Sequence, residues 1–210
     1  MTFTSRTDAG QRLGRYLAEQ NVRADLVLGL PRGGVVVAAE VARILLCPLD
    51  VLVVRKIGHP GHREFAVGAL AEEDTLVLDE EVINRTGVSP ADLKDVLAEE
   101  TKRLIEYQAR FLRANRPLIQ DKIVLIVDDG LATGATTEAA VRSAKNRGAI
   151  QVIVAAPVAS DNAVERLTRV ADKMIALVVD PEFDAVGRYY RNFPQTTDEE
   201  VQAILKACCL

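Results

Sequence analysis

Two aspartates in succession, Asp128 and Asp129, close the apolar run Val124-Leu125-Ile126-Val127, and Gly130, Leu131, Ala132, Thr133, Gly134, Ala135, Thr136 and Thr137 follow them. A run of Val, Leu and Ile without polar alternation reads as a strand buried on both faces, so the two carboxylates arrive at a strand end. The small residues behind them let backbone N–H groups approach a ligand, the start of a helix favours an anion, and threonine hydroxyls add donors. Such a loop suits a phosphate. The paired carboxylates would repel that phosphate and suit instead sugar hydroxyls or a hydrated divalent cation. A strand end with solvent-facing acids before an ordinary capped helix would explain the caps, but neither the acid pair nor the small-residue run. A Walker A loop is excluded, since it requires Gly-Lys-Ser/Thr and this loop has no Lys.

These residues need elements to hold them. Apolar runs at 25–30, 49–54, 123–127, 152–158 and 174–179 predict strands. Residues 33–46, 133–147 and 161–170 carry Ala, Leu and Val at helical spacing, with Ser160 as an N-cap. This alternation predicts an α/β fold, a doubly wound and mainly parallel sheet. Ligands bind such sheets at the carboxyl ends of the strands, where Pro31-Arg32-Gly33-Gly34, Arg55-Lys56, Asp128-Asp129 and Asp180 to Phe183 all fall. Residues 65–78 read as two short strands around a Glu72-Glu73-Asp74 turn. One long helix is then expected from Ser89-Pro90 until Pro117, with Leu93, Val96, Leu97, Leu104, Phe111 and Leu112 on its apolar face. Glu99/Arg103 and Glu106/Arg110 are spaced for pairing on its charged face. Lys102, Arg103, Arg110, Arg113 and Arg116 could form a nucleic-acid stripe, but the interleaved acids favour a solvated or subunit-facing surface.

Composition narrows the function classes. The chain has 210 residues, 26 Lys+Arg against 30 Asp+Glu, and a net charge of −4, which offers no global attraction to nucleic acid or an acidic membrane. Cys47, Cys208 and Cys209 match neither a metal spacing nor a disulfide framework, and neither a signal pattern nor a run long enough to span a bilayer is present. A cytoplasmic protein is expected. Its 4 Tyr, 5 Phe and no Trp leave the core to aliphatic residues. Phe183, Tyr189, Tyr190 and Phe193 nevertheless fall close together.

The segment VLIVDDGLATGATT resembles the phosphoribosyl pyrophosphate (PRPP) binding motif of type I phosphoribosyltransferases: four apolar residues, two acids, then a Thr-Gly-x-Thr loop. Pro31-Arg32-Gly33-Gly34 is similar to the pyrophosphate loop of xanthine-guanine phosphoribosyltransferases. Arg55-Lys56-Ile57-Gly58-His59-Pro60-Gly61 resembles a segment of adenine phosphoribosyltransferases, one residue shorter and with His59 near the expected Lys. Residues 183–193 resemble, more loosely, the purine-binding hood of hypoxanthine-guanine enzymes; a small aromatic cluster over the sheet edge is the alternative.

The resemblance implies one phosphoribosyltransferase-like domain over 1–210, with a helical insertion at about 79–116 and a hood and C-terminal segment at about 180–210. It implies Mg2+-dependent transfer of the 5-phosphoribosyl group of PRPP to a nitrogen nucleophile, a nucleobase, with release of pyrophosphate, a place in nucleotide metabolism, and a homodimer. Asp128 and Asp129 would then meet the ribose hydroxyls and, through water or PRPP, the metal. Ala132, Thr133, Gly134, Ala135, Thr136 and Thr137 would hold the 5-phosphate. Arg32, Gly33, Gly34, Arg55 and Lys56 would stabilise pyrophosphate. His59, His62 and Glu64 would lie in a mobile loop, either passing protons or charge to pyrophosphate or simply solvated, and Phe183 and Tyr189 would face the base. Ala132 stands where hypoxanthine-guanine enzymes place an Asp and adenine enzymes an Ala, which disfavours a 6-oxopurine. The alternative function is a PRPP-sensing regulatory protein on the same scaffold with little or no catalysis.

Overall fold

The computed structural model describes residues 2–111 and 115–208, and the side chains of Glu64 and Pro90 lie outside that description. Five strands form a parallel sheet: β1 (Leu26–Gly29), β2 (Leu49–Val51), β6 (Ile123–Val127), β7 (Gln151–Ser160) and β8 (Lys173–Asp180), in the order β2-β1-β6-β7-β8. Its continuous apolar runs serve two faces. Val27, Leu125, Val127 and Ile153 pack against α1 (Arg6–Glu19) and α2 (Gly33–Leu45), whereas Leu26, Leu28, Val124, Ile126 and Val154 pack against α5 (Ala135–Asn146) and α6 (Asp161–Thr168). Successive side chains of a strand point to opposite faces, so double burial leaves no room for polar alternation. Each fully buried aliphatic side chain adds roughly 1.5–3 kcal/mol relative to exposure.

A second sheet departs from the expected strand layout. β3 (Val54–His59), β4 (His62–Ala71) and β5 (Thr75–Leu78) pair antiparallel in that order. The strand expected at 49–54 is therefore two: β2 stops at Val51, and Val54 pairs with Ala71 in the other sheet. The cause is a buried ionic cluster. Glu72, 2% exposed, takes the N–H of Val53 at 2.8 Å and holds Arg116 at 2.6 Å and Arg147 at 2.9 Å. Arg116 also donates to Asp50 at 3.0 Å and to the Val51 carbonyl at 2.9 Å. Arg116 is thus no part of a solvated basic stripe: its charge is consumed where the chain passes from one sheet to the other. The expected Glu72-Glu73-Asp74 turn does separate β4 from β5, with Glu73 and Asp74 at φ 56° and 49°.

Two helices, α3 (Glu80–Thr86) and α4 (Pro90–Phe111), follow β5. α4 lays Leu93, Val96, Leu104 and Phe111 on Ile57, Val67 and Leu70 of the small sheet, and α5 covers its other face at Ala69 and Ala71. Leu112 and Arg113 lie outside the described residues. Arg103 pairs with Glu99 at 2.6 Å as the spacing predicts, while Arg110 reaches Asp198 of α7 (Asp198–Ala207) at 2.6 Å. Among the described residues no helix is long and apolar enough to cross a membrane.

Candidate functional site

The carboxyl ends of β1 and β6 are neighbours in the sheet, so the turns that leave them face each other. β1 runs into Pro31 and Arg32, joined by a cis peptide, and α2 opens at Gly33. β6 runs into Asp128 and Asp129. The two turns touch. A Cβ added at Gly33 would stand 1.9 Å from Asp129 Oδ2, and one at Gly34 would stand 2.8 Å from Asp128 Oδ1 and 3.0 Å from the Asp128 Cα. No residue but glycine fits at either position without displacing an acid, and α2 thereby presents bare backbone to the carboxylates. The Arg32 side chain turns to α7, 3.7 Å from Asp198.

The acids differ in their surroundings. Asp128 Oδ1 accepts the N–H of Asp129 at 2.8 Å, and burial, reinforced by the charge of Asp129, pushes the Asp128 carboxyl well above the usual carboxylate range. Asp129 is held by Arg6, whose Nε donates to Oδ2 at 2.6 Å, and its carbonyl accepts the Tyr190 hydroxyl at 2.6 Å. Burial and then the Asp129 charge raise the Tyr190 phenol, so it stays a donor.

The loop behind the acids is held from β7. Leu131 donates to the Val158 carbonyl at 2.9 Å, and Ser160 donates back to Leu131 at 2.9 Å. Ser160 Oγ donates to the Ala132 carbonyl at 2.5 Å while accepting the Ala163 N–H at 3.0 Å, so one hydroxyl caps α6 and fixes the loop. Gly134, at φ +73°, turns the chain into α5, which opens at Ala135 rather than at Thr133. The first N–H groups of a helix have no intrahelical acceptor, and they lie here beside Thr136 and Thr137. Thr137 is 1% exposed, and its Oγ1 has no hydrogen-bond partner among the described residues. A buried, unpartnered hydroxyl is costly unless a ligand completes it.

Other expected site residues sit elsewhere. Arg55 and Lys56 belong to β3, since the chain has already left the parallel sheet. Arg55 is bound by α4: it donates to Glu100 at 3.0 Å, and its guanidinium lies 5.0 Å from the Tyr107 ring centre. Lys56 is exposed. Both border a cleft of about 450 Å3 with Arg63, Glu99 and Arg103. His59 and His62 do not form the expected loop: they are cross-strand partners around a Pro60-Gly61 turn, and His59 Nδ1 accepts the Gly61 N–H at 3.0 Å. Glu64 falls in β4, with its side chain outside the description. Among the described residues no three His, Cys, Asp or Glu side chains group to hold a metal.

Phe183 and Tyr189 stack on each other, ring centres 5.3 Å apart and 21° from parallel. The Tyr189 hydroxyl donates to Asp180 at 2.5 Å, and burial with that carboxylate pushes its pKa up to about 12. The aromatics that reach the acid pair are others: Tyr190 packs between Phe3 and Phe193 at 5.5 and 4.8 Å. Arg6, Tyr190 and Ser160 are site neighbours that motif reading did not assign. Ser160 carried a signal as a helix cap and Tyr190 as one of the clustered aromatics, whereas Arg6 carried none.

A parallel sheet whose central strand delivers paired acids and a small-residue loop opening a helix, faced by a Gly-Gly turn from the next strand, defines the type I phosphoribosyltransferase class. The model of the phosphoribosyl transferase domain matches residues 6–187, and the chain belongs to that family. A protein of Mycobacterium tuberculosis strain H37Rv named "Putative phosphoribosyl transferase Rv0571c" is 47% identical over 208 residues, covering 97% of this chain and 46% of that protein. Its counterpart in strain CDC 1551 matches equally, so the chain spans about half the length of these relatives. Among solved structures, TT1426 from Thermus thermophilus is 44% identical, with a TM-score of 0.78 over 98% of both chains. The purine phosphoribosyltransferase from Pyrococcus horikoshii shares the fold at 20% identity, with a TM-score of 0.51 over 93% of this chain and 94% of that one.

Proposed function

We propose that the strand-end site binds PRPP and transfers its 5-phosphoribosyl group to a nitrogen nucleophile, a nucleobase being the acceptor class, with release of pyrophosphate. The observation that carries this reading is the contact of Asp128 and Asp129 with Gly33 and Gly34: acceptors for sugar hydroxyls face bare backbone suited to a pyrophosphate. The empty hydrogen-bonding capacity of Thr137 supports a 5-phosphate at the start of α5. In the reaction the bond from ribose C1 to pyrophosphate oxygen breaks with its electron pair going to pyrophosphate, the nucleophile's lone pair forms the new C1–N bond, and the nitrogen's N–H proton leaves to pyrophosphate or to water. Asp128 and Asp129 orient the ribose through its hydroxyls. The N–H groups of the Gly33-Gly34 turn hold the leaving group as its charge develops, an effect of preorganised donors that is often the largest in such sites.

Mg2+ fits the donor set. Two carboxylates without a third grouped ligand among the described residues match a cation that takes one or two protein oxygens and fills the rest of its shell with ligand oxygens and water. When bound, the ion would neutralise charge on the departing pyrophosphate. Asp129 is the better placed of the two to meet it, because burial and the neighbouring Asp129 charge raise the Asp128 carboxyl and so disfavour its charged form.

Arg55 and Lys56 assist only if the small sheet brings them to the ligand; the Arg55–Glu100 pair must then open. Ala132 continues to disfavour a 6-oxopurine acceptor. The domain layout, with residues 79–116 as a helical insertion and the segment from 180 as a hood, belongs to this reading, as does a homodimer, for which light scattering should give twice the chain mass. The test is pyrophosphate release from PRPP and Mg2+ against a panel of nucleobases and amines. Turnover with one acceptor supports the transferase; PRPP binding with no turnover across the panel would contradict it and favour a PRPP-sensing regulator.

A further inference from the structure

Arg6 has no part in the reaction as described, yet it lies at the centre of the site. Its side chain is 11% exposed, and Nε donates to Asp129 Oδ2 at 2.6 Å. The guanidinium lies 3.7 Å from the Phe193 ring centre, and Nη1 donates to the Pro194 carbonyl at 2.6 Å. A Cβ at Gly33 would stand 2.6 Å from Nε, so the cation occupies the same corner that the Gly33 backbone leaves free beside the acid. One planar cation therefore ties the acid to the segment after Tyr190, beside the start of α2. We propose that Arg6 is a positioning residue that holds the cation seat of Asp129 in the ligand-free protein and yields it to a divalent cation with its ribosyl phosphate ligand, passing that exchange to Phe193 and Pro194. This inference rests on the PRPP reading for its ligand, though not for its cation.

Two physical points support it. A carboxylate beside a second acid in a partly buried corner needs a counter-ion, and a guanidinium supplies one at short range. A divalent cation competes for the same oxygen, and both cannot occupy it at hydrogen-bond distance. The displaced side chain also has somewhere to go. A cavity of about 360 Å3 lies beside Arg6, walled by Asn192, Pro194, Ala203 and the carboxylate-bearing Glu200. Backbone bonds from Arg191 to Phe3 at 2.8 Å and from Asn192 to Thr4 at 3.1 Å join the same segment to the chain just before Arg6, so its amides report the exchange.

The experiment titrates Mn2+ alone into wild type, Arg6→Ala, Arg6→Gln and Arg6→Lys, read by electron paramagnetic resonance, with circular dichroism to establish that each variant is folded. Removing the charge should tighten Mn2+ binding at least tenfold in the Ala and Gln variants, while Lys stays near wild type. Asp129→Asn combined with Arg6→Ala should abolish the gain. Amide exchange at Arg191 and Asn192 should rise in Arg6→Ala without ligand, and in wild type on adding PRPP and Mg2+. Wild-type Mn2+ affinity in both uncharged variants, no measurable Mn2+ binding by either of them, or unchanged exchange in Arg6→Ala, would overturn the role of Arg6. Failure of wild type to bind PRPP, with the Mn2+ gain intact, would instead overturn the PRPP reading and leave Arg6 as the counter-ion of a cation site.

Discussion

Gly33→Ala adds one methyl group where the two strand-end turns meet. The new Cβ would lie 1.9 Å from Asp129 Oδ2, 2.8 Å from its Cγ and 2.6 Å from Arg6 Nε, far inside van der Waals contact. These obstacles are side-chain atoms, so α2 keeps its course and Asp129 moves. Moving it breaks a hydrogen bond between charged groups worth about 1.5–3 kcal/mol. It also forces the carboxylate off its rotamer at about 0.5–1.5 kcal/mol. Alanine returns at most about 0.5–1 kcal/mol over glycine in a helix. The balance is a loss of about 2 kcal/mol, or roughly 4–8 °C in Tm for a chain of this size. Thermal denaturation followed by circular dichroism, with calorimetry of PRPP and Mg2+ on the same samples, reads both consequences. The variant should fold, melt several degrees lower and bind PRPP at least tenfold more weakly. A melting temperature and an affinity both equal to wild type would refute the claim that Gly33 is required by Asp129.

Three further perturbations address the scaffold and the acids. Glu72→Gln removes the buried charge that two partly buried arginines share, which should cost about 3–5 kcal/mol in thermal unfolding; a loss below about 1 kcal/mol would place the joint between the sheets elsewhere. Ser160→Ala removes the α6 cap and the loop tether, and should cost about 0.5–2 kcal/mol by denaturant titration while weakening PRPP binding; unaltered affinity would show that the tether is dispensable. Asp128→Asn tests the raised carboxyl. A carboxyl whose folded pKa exceeds its unfolded value of about 3.9 destabilises the protein progressively as pH rises above that value. The variant should therefore melt higher than wild type at pH 7, with the gain vanishing as pH falls below about 4. An equal gain across that range would contradict the assigned cause.

The parallel sheet was legible because its strands are buried on both faces, so that Leu26 to Gly29 and Ile123 to Val127 read as unbroken apolar runs. The acid pair and its loop were legible for a related reason: chemistry at a strand end interrupts such a run abruptly. The passage from β2 to β3 was not legible, since the apolar sequence continues across it and the deciding contact, Arg147 with Glu72, spans 75 residues. Arg6 and Asp129 are 123 residues apart, and an arginine entering a helix looks like any other. α1 leaves a weak apolar pattern in the sequence because its buried stripe includes Gly10 and Gly14, where small size permits close approach to α2. The aromatics near the C-terminus stood out by number, but only packing separates the Phe183–Tyr189 stack from Tyr190, which touches the acid pair.

The central claim is that Asp129, against the Gly33-Gly34 turn, forms part of a PRPP site. Calorimetric titration of PRPP with Mg2+ into wild type and Asp129→Asn tests it directly. Saturable binding in the wild type, weakened at least tenfold in the variant, is the predicted result. No binding by the wild type, or equal affinity in the two proteins, would contradict it.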